Sequence, residues 1–314
     1  MGKYVTKRVG QMIVILFLIS IFIFLLISFI PGDPVYAMLG EEVSAETYER
    51  VYQELNLDKP VVYRYFVWLG NALRGDFGQS TQFHRPTVEL LMERMPVTLY
   101  FTFLSFFISI PVGVLLGVLS AVYRGKPIDT VVTLLANITA CLPQFWIGIL
   151  LLYVFAMKWS LLPSFGFTWP WEDFGNSVRT TIMPLFCLAI GGIASIARQT
   201  RSSMLEVIRQ DYIRTARSKG LKERKIIFIH ALKNALIPVI TLFGMRLGLL
   251  VGGSMFMETV FAIPGMGSLF VKAITSRDIP VVQACVLVTA LISCMVNLIT
   301  DILYAVVDPR IKYE

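Results

Sequence analysis

Apolar and polar positions fall along this chain in long blocks. Apolar runs occupy residues 9–30, 97–123, 129–157, 181–200, 235–257 and 281–304. Each meets the about 20 residues a helix needs to cross a hydrocarbon core of about 30 Å. The pattern predicts an all-α, polytopic membrane protein with six transmembrane helices. Lys3, Lys7 and Arg8 precede the first run, as in a secretory leader. That run is too long for a leader, however, and Ser28-Phe29-Ile30-Pro31-Gly32 is no small-x-small cleavage site, so it reads as an uncleaved first span.

Composition narrows the class. Of 314 residues, 56% are hydrophobic and 16% charged, and the mean hydropathy is +0.69. The charged share lies well below the about 25% of soluble domains, which excludes a soluble two-domain protein and a disordered chain. The net charge of +7 is a topology signal. Segments 1–8, 124–129, 198–234 and 301–314 carry seventeen Lys/Arg against seven acids, whereas 31–96, 158–180 and 258–280 carry ten against fourteen. By the positive-inside tendency the first set is cytoplasmic, with both termini inside, and nucleic-acid binding has no place. Cys141, Cys187, Cys285 and Cys294 lie in apolar runs without C-x-x-C spacing and read as buried reduced thiols.

Proline and glycine interrupt the spans at Pro111, Gly113, Gly117, Pro143, Gly244, Gly248, Gly252 and Gly253. Close helix packing is the leading reading; kinks lining a moving pathway are the other, for Pro143 and the fifth-span glycines. Arg246 is the only formal charge deep in a span, which marks a function unless it pairs structurally. Asn137 is a further pathway candidate, with packing the safer reading.

Two polar segments stand apart. Residues 31–96 open with Pro31-Gly32-Asp33-Pro34, which ends the first helix. Helices are predicted over 45–57 and 61–73, the second amphipathic with Tyr63 and Trp68 as interfacial anchors. The segment is either a cap lying on the membrane or a docking surface, and the two are compatible. Residues 198–234 hold ten Lys/Arg and three acids. Ser203-Met204-Leu205-Glu206 fits a capping box, although the fourth span can simply continue through it. Leu205, Ile208, Tyr212 and Ala216 recur at helical spacing, Gly220 allows a left-handed stop, and 221–236 reads as a second helix. This helix–Gly–helix elbow either rests on anionic lipid or projects into a groove on a soluble partner. Small residues Ala216 and Gly220 favour the second.

There is no G-x-x-x-x-G-K-[ST] loop, no G-x-S-x-G, no H-E-x-x-H and no intramembrane carboxylate pair. The chain therefore reads as a non-enzyme that binds no cofactor or metal of its own. A stand-alone channel and a membrane-embedded enzyme are the alternatives from other classes, the enzyme remote.

The run Asp211-Tyr212-Ile213-Arg214-Thr215-Ala216-Arg217-Ser218-Lys219-Gly220-Leu221, followed by 230–238 ending at Pro238, resembles the EAA loop of ABC-importer permeases. It most resembles the form found in the dipeptide/oligopeptide/nickel permease family, with Arg214-Thr215-Ala216 where the general motif has Glu-Ala-Ala. Further stretches agree: Gly75-Asp76-Phe77-Gly78-Gln79-Ser80, Arg94-Met95-Pro96-Val97-Thr98-Leu99, Phe261-Ala262-Ile263-Pro264-Gly265-Met266-Gly267, Arg277-Asp278-Ile279-Pro280 and Asp308-Pro309-Arg310-Ile311.

The resemblance implies a type I ABC-importer permease fold and a peptide-importing subunit, with nickel chelate as the alternative cargo. It implies a heterodimer with a second homologous permease, two cytoplasmic ATPase subunits that bind ATP and magnesium, and an extracytoplasmic substrate-binding protein. The segment 211–221 would be the coupling helix, with Asp211, Tyr212, Arg214, Thr215, Ala216, Arg217, Gly220 and Leu221 at the ATPase contact. The expected division is a cytoplasmic N-terminus and first span (1–30), an outer cap (31–96), a five-helix core (97–304) containing the cytoplasmic loop (201–234), and a cytoplasmic tail (305–314) in the cell membrane.

Overall fold

The computed structural model describes residues 2–29, 33, 35, 36, 40, 42–54 and 56–307, with the side chains of 2, 3, 54, 241–253 and 303–307 outside that description. The elements are α1 (Gly2–Ser28), α2 (Ala45–Glu54), α3 (Val61–Leu73), α4 (Thr87–Val122), α5 (Pro127–Cys141), α6 (Gln144–Leu151), α7 (Phe174–Val207), α8 (Asp211–Ser218), α9 (Glu223–Lys225), α10 (Leu232–Val260), α11 (Met266–Thr275) and α12 (Ile279–Val307). Two π-helical stretches continue α6 (Leu152–Lys158) and join α9 to α10 (Ile226–Ala231). The only pairing of β type among the described residues is an isolated bridge between Gln79 and Pro86.

α1, α4, α7 and α12 are each long and apolar enough to cross a membrane, and α5 with α6 forms a bent fifth span. α10, at 29 residues, has the length for the sixth. The second span begins ten residues before its expected start, at Thr87. Charges at Glu89, Glu93 and Arg94 mask this extension in a hydropathy reading. Only its inner face is apolar: Leu90 and Leu91 are buried against Met266, Leu269 and Ala273 of α11 and Val281 of α12, while Arg85 bonds Glu89 (3.2 Å) and Glu93 (2.6 Å) outside.

The third span bends by 103°. Leu142 is extended (ψ 132°) and Pro143 starts α6, because a residue preceding proline is pushed out of helical conformation. α7 runs unbroken through Ser203-Met204-Leu205-Glu206, so the capping-box geometry is not realised there; the helix stops at Val207.

α4 and α7 form the tightest seam. Ser105, Ser109, Gly113, Gly117 and Ala121 recur every four residues along α4, so they share a face. A Cβ on Gly117 would lie 2.5 Å from the Thr200 Cβ and 2.6 Å from the Ala197 carbonyl, and one on Gly113 would lie 2.7 Å from Ile196. Ser109 donates to the Ala189 carbonyl across the seam (3.0 Å). Packing therefore accounts for these two glycines, as small residues let backbones approach in lipid. Gly117→Val is expected to cost about 1–3 kcal/mol, read as a lower melting temperature of the detergent-solubilised protein. An unchanged melting temperature would mean that α4 and α7 are not so close.

α1 packs on α12, and Arg8 pairs with Asp301 (3.1 Å), so the start of α1 and the end of α12 lie at one end of the bundle. α3 packs on α1. Tyr65 is buried and shares a hydrogen bond with Ser20 (2.8 Å), and Trp68 lies on Phe24 with ring centroids 5.5 Å apart. Trp68 is thus a protein contact, while Tyr63 is exposed. Ahead of α3, Tyr48 donates to Asp33, which holds that carboxyl below its usual range and pushes the Tyr48 hydroxyl up to about 12. Cys187 and Cys285 are buried and all four thiols are free, but Cys141 is exposed, contrary to the buried reading.

Candidate functional site

The elbow at 208–231 is built from two requirements: a helix that stands away from the bundle, and a fixed way back. Residues 208–210 form a turn, and α8 starts afresh at Asp211 with an acidic residue in its first turn and Arg217 in its last, both suited to the helix dipole. The continuous helix implied by Leu205, Ile208, Tyr212 and Ala216 is therefore divided in two. α8 stops in a Schellman turn. Gly220 takes φ +74°, its N–H donates to the Arg217 carbonyl (2.9 Å), and the Leu221 N–H reaches the Ala216 carbonyl (3.4 Å).

One face of α8 is anchored. Ile213 and Ala216 are buried with Val118 and Ala121 of α4, Met204 of α7, Ile226 and Ala231 of the returning π-helical stretch and Ala235 of α10, and Leu221 is packed against the same cluster. Ala216 is thus buried in the protein's own cluster, on the face of α8 turned toward the returning chain. The other face is free: Asp211, Arg214 and Thr215 are exposed, as is Gly220, with 97% and 81% of the Asp211 and Arg214 side chains accessible. Tyr212 is partly exposed, and its hydroxyl accepts from Asn234 (2.8 Å). Arg217 spans the glycine turn to Glu223 at 2.7 and 3.3 Å, an arrangement that raises the Arg217 pKa. These two residues brace the elbow from outside.

A clamp lies beside it. Asp129, at the start of α5, accepts from Nε and Nη2 of Arg201 in α7 (2.7 and 3.0 Å), from the Ser120 hydroxyl and from the Gly125 N–H. A bidentate pair of this kind fixes geometry as well as charge, and it ties the ends of α4, α5 and α7 next to α8.

At the opposite end the motif stretches meet in pairs. Glu258 in α10, 1% exposed, accepts the Thr98 hydroxyl of α4 (2.7 Å) and the N–H groups of Gly267 (2.6 Å) and Ser268 (3.1 Å). The Met266 N–H donates to the Thr98 hydroxyl (2.8 Å). The open N–H groups at the start of α11 are thus met by two other helices. Asp278, wholly buried, accepts the Ser80 hydroxyl and the Gln82 N–H, which pins the 75–80 loop to the start of α12.

The profile of the family described as binding-protein-dependent transport system inner membrane component matches residues 113–313, and its N-terminal companion matches residues 1–102. The chain belongs to this family. It is a multi-pass inner-membrane permease subunit of the ABC-importer class, a transport component and not the catalytic one. A Brucella abortus (strain 2308) protein provisionally named as a peptide transport system permease is 42% identical over 315 residues, all of both chains. The oligopeptide transport system permease AppB of Bacillus subtilis (strain 168) is 39% identical over 316 residues, and the glutathione transport system permease GsiC of Escherichia coli (strain K12) 37% over 314, each with full coverage of both chains. The inward-facing MetNI methionine ABC transporter superposes with a TM-score of 0.54 at 22% identity, over 70% of this chain and 96% of that one. That likeness establishes the fold.

In the permease, Pro143 is exposed at the 103° bend and Asn137 is exposed on α5, near the end of that helix before the bend. The Arg246 side chain and the glycines at 244, 248, 252 and 253 lie outside the described residues, as does the stretch 308–311. The structure groups the candidates of 211–221 at the elbow and leaves Asn137, in α5, and Pro143, at the bend, on the third span. Sequence reasoning missed Asp129, Arg201 and Glu258. The available signal for Glu258 was an acid seven residues ahead of Gly265-Met266-Gly267, where a helix begins. For Asp129 it was an acid two residues after a helix-starting Pro127 in a basic loop.

Proposed function

We propose that this permease forms half of the translocation pathway of an ATP-driven importer of di- and oligopeptides. A second, homologous permease completes the pathway, two ATPase subunits grip α8 from the cytoplasm, and an extracytoplasmic binding protein delivers the peptide to the cap at 31–96, whose last ten residues extend α4 outward. The positive-inside tendency places both termini, the elbow and the 305–314 tail in the cytoplasm, with the five-helix core over 97–304.

The observation that carries this reading is the asymmetry of α8. Its inner face is locked into the ends of α4, α7 and α10, and its outer face presents Asp211, Arg214 and Thr215 on a rigid projection. A chain without a nucleotide site receives an energetic bias only by contact, and a near-complete shift between two states needs about 5.5 kcal/mol of differential binding. A projection that shares a core with three spans transmits such a push; a loose loop would absorb it. In this scheme Tyr212, Arg217, Gly220 and Leu221 keep the coupling helix rigid, and Ala216 seats it. Arg246, Asn137 and Pro143 are the pathway residues.

Peptide cargo is favoured by the names of the full-length relatives, and nickel chelate is the weaker alternative. Mass spectrometry of ligand released from the co-purified binding protein is expected to show peptides. A metal chelate in their place would overturn the cargo assignment and leave the permease role standing. A stand-alone channel is a separate matter: substrate accumulation against its gradient by the permease alone in liposomes would defeat the ATP-coupled scheme.

A further inference from the structure

Just past the coupling helix, Lys222, Arg224, Lys225, Phe228 and Ile229 line one shallow open depression. All five are exposed, with Phe228 and Ile229 at 47% and 55%. The local helix explains why apolar side chains point outward here. The stretch Ile226–Ala231 is π-helical, and its i→i+5 bonding keeps Ile226 and Ala231, five apart, both fully buried, so Phe228 and Ile229 between them turn away from the core.

The charge at this place is one-sided. Glu223, the acid of the segment, is occupied by Arg217 on the side of the glycine turn. Lys222, Arg224 and Lys225 make no ion pair among the described residues. From Ile229 an exposed line continues through Lys233 and Ile237 at four-residue steps up α10, the helix that enters the bilayer.

We propose that 222–229 is a binding surface for the headgroups of anionic phospholipid, distinct from the ATPase contact on α8. The three cations meet phosphate, and Phe228 and Ile229 enter the boundary between headgroups and acyl chains. A basic segment with apolar residues among its cations is the pattern of an interfacial helix, and each cation near an anionic surface adds to its attraction. A soluble partner would have to supply acidic groups at the level of the membrane surface. Lipid supplies them there by default, and the exposed line runs directly into it.

The test uses the assembled transporter in nanodiscs of phosphatidylcholine with about one-fifth phosphatidylglycerol, an amount giving a clear anionic surface. Native mass spectrometry reads the phosphatidylglycerol retained. The triple variant K222Q/R224Q/K225Q is expected to retain at least about tenfold less than the unaltered protein, with the ATPase subunits still bound in gel filtration. F228S/I229S is expected to weaken retention with all the charges present, which separates insertion from simple attraction. Equal retention by the triple variant would overturn the proposal. So would loss of the ATPase subunits with lipid retention intact, which would assign the surface to the motor. Because lipid retention is read without transport, its failure leaves the importer reading untouched.

Discussion

Gly220→Pro is expected to abolish uptake and to leave ATP hydrolysis running without transport, while the permease still reaches the membrane. Three local facts converge on this position. Gly220 holds φ at +74°, whereas proline is fixed near −65°. Its N–H donates to the Arg217 carbonyl, and proline has none to give. The turn it makes also sets up the Arg217–Glu223 bridge across the elbow. The substitution costs about 3 kcal/mol or more locally, enough to unseat α8, yet it touches no residue inside a span. Comparison variants sharpen the reading. A Cβ at Gly220 meets nothing within 4 Å, so Gly220→Ala carries only the backbone penalty of about 1–2 kcal/mol and should reduce uptake partially. Gly220→Asn, which tolerates the left-handed region, should transport nearly as well as the original. Uptake measured in proteoliposomes beside ATPase rate decides the matter: normal transport by the proline variant would remove α8 from the coupling path.

The bilayer makes some features of this permease easy to read and hides others. A span must be apolar over about 20 residues, so every membrane helix announces itself in the sequence, and so do Gly220 and the helix–Gly–helix elbow. The ends of helices outside the bilayer are amphipathic, and there the apolar signal weakens. The first turns of α4 carry Glu89, Glu93 and Arg94 on one face and Leu90 and Leu91 on the other, and only the fold shows what the leucines meet. Periodicity misled at 205–216 because a short turn keeps the apolar spacing in step across a break. Ala216 shows a related limit: small size signals a close approach but does not name the neighbour, and the structure buries this residue in a cluster with Ile213, Ile226 and Met204. Glu258 and Asp129 were counted only as charges that set sidedness. What gives each its role is a partner far along the chain, Thr98 for the first and Arg201 for the second, and no local pattern encodes such a pairing. The quoted motif stretches, by contrast, become intelligible together, because the structure joins 94–99 with 261–267 and 75–80 with 277–280.

Glu258→Ala should be the most destabilising single change at the end of the molecule opposite the elbow. The carboxylate takes the Thr98 hydroxyl, the N–H groups of Gly267 and Ser268 and the Ser254 side chain, in a place where its side chain is 1% exposed. Alanine takes this acceptor from all of them, each buried orphan costing about 1–3 kcal/mol, and opens a void where the carboxyl lay. The space is closely shaped to that group: a Cβ on Gly265 would clash with the Glu258 carboxylate. α11 would lose its attachment to α4 and α10, and with it the packing of Met266 and Leu269 on Leu90 and Leu91. The expected result is a marked fall in the melting temperature of the purified complex and loss of uptake, with the ATPase subunits still bound because the elbow lies at the opposite end. Glu258→Gln keeps one acceptor oxygen but turns an amide N–H₂ toward donors, and should fall between the two. Thr98→Val, which removes the hydroxyl that both donates to Glu258 and accepts from Met266, should weaken the same joint, and the double variant should lose less than the sum of the singles. Fully additive losses would show that Thr98 and Glu258 do not act as one joint, and an unchanged melting temperature in Glu258→Ala would show that α11 is held by its apolar contacts alone.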